Sequence, residues 1–241
     1  MPHTLFISDL HLCPTRPAIN ALFTRFVQDL APQAQALYIL GDFFEYWAGD
    51  DDLRDAFHLS ITERLAALAQ HGTRVYIMHG NRDFLLSDDF MRAAQATFLP
   101  DPSCIDLYGT PTLLMHGDTL CTDDVAYQQF RDMVRHSDWQ AAFLAQPLVQ
   151  RKAQIEALRK QSTEAKATKS AEIMDVNPAA VEAILRAHNY PRIIHGHTHR
   201  PARHVHSVDG HPSERWVLAD WYARGSYLRC DATGCTTHPM E

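Results

Sequence analysis

The chain has 241 residues, 46% of them hydrophobic and 21% charged, with a formal net charge of −7. That composition supports one substantial core with room for an inserted subdomain and excludes a disordered chain. The acidic balance argues against a nucleic-acid binder, which needs a basic surface to displace counterions from phosphates.

The first apolar run, TLFIS at 4–8, lacks a basic leader and meets Asp9 at once, so it predicts a strand rather than a signal peptide. No later stretch reaches the ~18 uninterrupted apolar residues of a membrane span. A helical pattern over 18–30 leads to a second strand, ALYIL at 36–40. Another helical pattern over 52–70 leads to a third, RVYIMH at 74–79. This β-α-β-α-β order implies a parallel sheet covered by helices. Further strands are expected at TLLM (112–115) and RIIH (192–195).

Between those last two, strand signals vanish. Helices are expected over 125–134, over 139–160 as one segment, and over 177–188, where Asn177 caps and Pro178 occupies the first turn. Residues 1–122 and 191–241 thus form the predicted core, and 123–190 a helical insertion. The tail returns to β patterns at 203–208, 215–222 and 226–235, with Asp209-Gly210 and Thr233-Gly234 as hairpin turns. The five cysteines include no C-x-x-C, so neither a disulfide framework nor a thiolate zinc site is expected. Reduced cytosol is the natural compartment, and Cys230 and Cys235 read as plain hairpin residues.

Each of the five strands before and after the insertion stops in a polar cluster: Asp9-Leu10-His11, Gly41-Asp42, Gly80-Asn81-Arg82-Asp83, His116-Gly117-Asp118 and Gly196-His197-Thr198-His199. Ligands of open α/β sheets bind at the carboxyl ends of strands. Asp9, His11, Asp42, Asn81, His116, His197 and His199 offer oxygen and nitrogen donors without sulfur, a set suited to manganese, iron or zinc. Seven donors exceed the needs of one ion. Two divalent ions ~3.5–4 Å apart, sharing a bridging carboxylate, would use them and clamp an in-line displacement at phosphorus. In an extended segment His197 and His199 point to one side with Cα atoms roughly 6.6 Å apart, so each reaches a different ion. His195 reads as a buried supporting histidine. His79, His204, His206 and His211 carry no metal reading.

Asp9-x-His11, Gly41-Asp42, Gly80-Asn81, His116 and Gly196-His197-x-His199 resemble the motif set of the calcineurin-like metallophosphoesterases. The resemblance implies a four-layer αββα sandwich with a helical lid and a dinuclear centre. One ion is expected on Asp9, His11, Asp42 and His199, the other on Asp42, Asn81, His116 and His197, with manganese the implied metal. Members of that superfamily commonly carry histidine after Gly-Asn; here it is Arg82, which cannot give up a proton at ordinary pH and can only stabilise charge. The leaving group should then need no general acid.

Within that superfamily, GDFFEYWAGDD (41–51), HGNRDFLL (79–86), HGDTLCTDDVAYQQFR (116–131), AEIMDVNP (171–178) and LADWYARGSYL (218–228) resemble the diphosphatases of lipid A biosynthesis. What this implies is a UDP-linked diacylated glucosamine lipid as substrate, cleaved by metal-activated water attacking the α phosphorus to release UMP. It also implies peripheral attachment to the cytoplasmic face of the bacterial inner membrane. Catalytic residues carried over are Asp9, His11, Asp42, Asn81, Arg82, His116, His197 and His199. Substrate contacts fall on Asn81, Arg82, Asp124, Ser162, Lys166, Lys169 and His197, with Lys166 standing where many members have Asn. A basic surplus over 150–170 (Arg151, Lys152, Arg159, Lys160, Lys166, Lys169 against Glu156 and Glu164) is expected to meet a pyrophosphate or an anionic leaflet. A nucleotide phosphodiesterase and a metal-free binding scaffold are the competing readings; the full set of donors disfavours the scaffold. No protein partner is expected.

Overall fold

The computed structural model describes residues 1–168 and 173–240, the side chains of 161–168 excepted. Strands β1 (Thr4–Ile7), β2 (Ala36–Leu40) and β3 (Arg74–Met78) are linked by helices α1 (Pro17–Arg25) and α2 (Ala56–Gln70). Their pairing is parallel, Phe6 opposite Tyr38 and Tyr38 opposite Tyr76. Asp55 opens α2, its carboxylate accepting from the Phe57 amide at 2.9 Å. After β3 come α3 (Asp88–Ala94), β4 (Thr97–Leu99), β5 (Ser103–Leu107) and β6 (Thr110–Leu114). Helices α4 (Val125–Arg135), α5 (Ser137–Leu144), α6 (Leu148–Thr168) and α7 (Pro178–Ala187) precede β7 (Arg192–His195). The hairpins β8 (Ala202–Val208)–β9 (His211–Val217) and β10 (Gly225–Asp231)–β11 (Gly234–Met240) complete the chain.

The strands form two sheets, ordered β11-β10-β1-β2-β3-β4 and β5-β6-β7-β9-β8. Side-chain alternation distributes each strand between two cores. Phe6, Leu40 and Met78 meet Leu114 and Ile194 between the sheets. Leu5, Ile7, Leu37 and Ile39 face the outer helices with Phe23, Ile61 and Leu65. On the far side Leu113 and Ile193 pack under Val181 and Leu185 of α7, which starts where expected, the Asn177 side chain accepting from the Ala180 amide at 3.1 Å. The result is the expected αββα layering.

Several expectations change. The five clusters do not share one sheet: β1, β2 and β3 belong to the first, and β6 and β7 to the second. The single helix expected over 139–160 is two, α5 and α6, broken at Pro147. Proline lacks the amide a continuous helix needs and forces its predecessor out of helical geometry. Cys230 and Cys235 lie directly opposite each other in the β10–β11 register. They form a disulfide, with Cα atoms 4.1 Å apart. A tight hairpin makes this pairing between residues five apart, so the pair is not two plain hairpin residues.

Candidate active site

Backbone hydrogen bonds zip the strand-end loops together. The Asp9 amide donates to Gly41 O at 3.1 Å, that of His11 to Asp42 O at 3.0 Å and that of Gly196 to His116 O at 2.9 Å. The His197 amide donates to Asp9 Oδ2 at 2.9 Å. A fully buried carboxylate, Asp83, binds the second and third loops by accepting from the amides of Phe43 at 2.7 Å and Gly80 at 2.8 Å. Loops separated by up to 188 residues thereby converge at the carboxyl edge of both sheets.

The backbone there is strained. Asp9, His11, Asp42, His197 and His199 have φ of 54°, 51°, 50°, 67° and 56°. Non-glycine residues seldom adopt this left-handed conformation, and it persists only where surrounding structure holds it. The segment 196–199 is therefore kinked and not extended as the sequence suggests. At Gly80 a β-carbon would lie 2.1 Å from Asp42 Oδ1 and 2.2 Å from the Asp42 amide, so only glycine fits.

All seven expected donors converge. Asp9 Oδ1 is 3.3 Å from His199 Nε2. Asp42 turns one oxygen to each side, Oδ2 3.8 Å from His11 Nε2 and Oδ1 3.8 Å from His116 Nε2. Asn81 Oδ1 lies 3.1 Å from His116 Nε2 and 3.0 Å from His197 Nδ1. Donor atoms of Asp9, His11 and His199 lie within 4.8 Å of one another, as do those of Asp9, Asp42 and His116. Asp9 Oδ1 and His11 Nε2 are buried without a hydrogen-bond partner. Burying such groups unsatisfied is costly, and a cation would satisfy them. Electrostatics agree: burial opposes charge on the His116 ring, yet Asp42, Asp118 and Asp9 push it up to about 9, while burial raises Asp42 to about 7. The donor set, the orphaned atoms and the surplus of buried carboxylate all fit divalent cations.

His195 stays off this cluster, fully buried with Nδ1 2.9 Å from Gly196 O and Nε2 2.9 Å from Arg215 Nη1. A cavity of about 610 Å³ opens beside the donors, lined by Asn81, Arg82, Asp124 and His197 and, on its apolar side, by Phe84, Phe130, Trp139, Phe143, Ile155 and Leu158. Asp124 also caps α4, accepting from the Tyr127 amide at 3.1 Å. Lys169 and the side chains of Ser162 and Lys166 lie outside the described residues.

The basic surplus of 150–170 is in part spent internally. Arg151 pairs with Asp51, Lys152 Nζ lies 2.6 Å from Asp52 Oδ1, and Arg159 Nη2 lies 2.6 Å from Glu45 Oε1. Counting charge within one segment missed acidic partners 100 or more residues earlier. Sequence reasoning also missed Tyr222, stacked 5.1 Å from the His11 ring and itself under the Arg16 guanidinium at 4.6 Å. It missed Tyr127, whose ring lies 5.7 Å from that of His197. No donor pattern marks either.

Comparison with known proteins agrees with this geometry. The calcineurin-like phosphoesterase family model matches residues 2–201. A protein of Aromatoleum aromaticum named UDP-2,3-diacylglucosamine hydrolase is 57% identical over 230 residues, covering 95% of this chain and 94% of its own. Proteins of the same name from Pseudomonas aeruginosa and Aeromonas salmonicida are each 50% identical, the first covering 98% of both chains, the second 94% of this chain and 89% of its own. Matched along nearly its whole length and carrying every donor of the motif set, the chain belongs to the calcineurin-like phosphoesterase family.

Proposed function

We propose that this chain hydrolyses the pyrophosphate bond of UDP-2,3-diacylglucosamine, releasing UMP and 2,3-diacylglucosamine 1-phosphate, a step of lipid A biosynthesis. The observation that carries the reading is the junction of two donor clusters, sharing Asp9, with a cavity whose far wall is apolar. The name borne by its relatives supports the substrate. Asp9, His11, Asp42 and His199 would hold one divalent ion, and Asp42, Asn81, His116 and His197 the other, manganese being the ion we favour. When bound, such ions activate water and neutralise phosphate oxygens.

The chain's own residues do the rest. Arg82 lines the cavity beside Asn81 and remains a cation, stabilising charge on the pyrophosphate without delivering a proton. None is needed, because the lipid phosphate leaves as a stable anion. Residues 123–190 act as a lid: Trp139 and Phe143, stacked at 4.9 Å, with Ile155 and Leu158 receive acyl chains, and Asp124, Ser162, Lys166 and Lys169 serve the head group. Among the described residues no helix is long and apolar enough to cross a membrane. Peripheral attachment to the cytoplasmic face of the inner membrane belongs to the same reading, with Val125 and Val149, 61% and 80% exposed on α4 and α6, as apolar contacts.

Hydrolysis in ¹⁸O-labelled water is the test, run beside cyclic nucleotides and generic phosphodiesters as rival substrates. Turnover of the lipid nucleotide with label in UMP is expected, because attack falls on the uridine-linked phosphorus. Label in the lipid phosphate reverses the substrate orientation, and preference for a cyclic nucleotide overturns the assignment.

A further inference from the structure

Glu45 lies on the loop after β2 and is almost fully buried, though nothing in the donor motif includes it. Its amide donates to Leu12 O at 3.1 Å, which sets it beside His11. One carboxylate oxygen, Oε2, lies 3.5 Å from His11 Nδ1. The other, Oε1, accepts from Arg159 Nη2 of α6 at 2.6 Å. The Arg159 guanidinium also sits over the Tyr46 ring at 5.6 Å. On the opposite edge of its ring, His11 turns Nε2 toward Asp42 Oδ2. Among the described residues, the donor groups within mutual reach do not include Glu45, so it stands behind His11 and not among the ligands.

We propose that Glu45 is a positioning residue joining α6 to the metal site: its carboxylate fixes Nδ1 of His11 and holds Arg159, so that metal binding and the seating of α6 are linked. The inference rests on the reading of Asp9, His11 and His199 as metal ligands. A histidine that gives Nε2 to a metal carries its proton on Nδ1, and a carboxylate there orients the ring and raises its basicity. Here that carboxylate is shared with a cation on another element, 114 residues away. Filling the metal site strengthens the demand on Glu45 from the His11 side, and a fixed Glu45 is a better partner for Arg159. Linkage of this kind is reciprocal, so seating α6 must tighten the metal by the factor by which metal tightens α6. A purely structural pair would hold α6 and transmit nothing.

The test titrates manganese(II) calorimetrically into the metal-stripped full chain, the Glu45→Gln variant and the Arg159→Met variant. Amide exchange over residues 148–160 is followed with and without the ion. In the unsubstituted chain manganese should slow exchange on α6. Glu45→Gln should bind manganese roughly tenfold more weakly and lose that protection. Arg159→Met, which leaves the His11 contact in place, should keep manganese stoichiometry and still lose the protection. Equal protection in all three chains overturns the linkage, and undiminished affinity in Glu45→Gln overturns the positioning of His11. An unsubstituted chain that takes up no manganese instead sinks the metal reading beneath both, which keeps the two failures apart.

Discussion

Arg131 Nε donates to Asp118 Oδ2 at 2.7 Å, and this ion pair ties α4 to the loop carrying His116. Asp118 is fully buried, and the Tyr127 hydroxyl donates to the same oxygen at 2.6 Å. Arg131→Ala leaves the carboxylate charged in the interior with one fewer donor. The expected loss is about 3 kcal/mol of unfolding free energy, since breaking a buried pair strands the remaining charge. Urea unfolding of the metal-free chain measures it, and adding Asp118→Asn should recover part of the loss. An unchanged midpoint would mean that water replaces the guanidinium.

Asp42 turns its two oxygens to two different histidines, His11 and His116. Asp42→Ala should therefore lower metal content by more than one ion per chain, while His199→Ala should cost one. Elemental analysis of both purified variants decides. Two ions retained after loss of Asp42 would remove the bridge from the site.

Trp139 offers a large apolar face to the cavity against Phe143. Trp139→Ala removes burial worth roughly 1.5–3 kcal/mol to an acyl chain, about a tenfold or greater rise in KM. Metal content should stay intact, and turnover of an unacylated UDP-glucosamine should not change. An equal effect on both substrates would place the acyl chains elsewhere.

His79 follows β3, its Nε2 2.7 Å from Leu86 O, and burial with the nearby Arg135 charge pushes the imidazole down to about 4. The unfolded chain, with an ordinary histidine near 6.5, binds more protons than the folded one between these values. Stability from this group is thus full above about pH 6.5 and falls as pH drops toward 4. The loss amounts to roughly 2 kcal/mol by pH 5. His79→Gln, which can keep the bond to Leu86, should flatten that slope. Tm from pH 7 to pH 5, compared between the two metal-free chains, reads it out, and parallel slopes would refute it.

The seven donors were legible in the sequence because each follows directly on an apolar run, so strand periodicity and donor chemistry sit together in the chain. Sheet membership was less so: β6 and β7 carry the same local pattern as β1 to β3, and only packing of Leu114 and Ile194 against Phe6 separates the sheets. The break at Pro147 had a signal, a proline inside an apolar helical pattern, outweighed by the length of the flanking periodicity. Glu45, Arg151, Lys152 and Arg159 had none. Each reads as a solvated charge, and only folding brings the acidic loop after β2 onto α6. Tyr222 lies in a segment expected to be strand, and its stacking on His11 follows from the turn between β9 and β10.

The left-handed backbone at Asp9, His11, Asp42, His197 and His199 sets a limit on how this protein can be improved. Glycine at any of the five would relieve local strain, which is of order 1–3 kcal/mol per residue, while deleting a donor. A library selected only for thermal resistance would therefore be drawn toward inactive chains at these positions. Selection under a chelator, followed by growth that depends on the enzyme, would push the other way. The same five positions would then mark where robustness and turnover cannot be raised together.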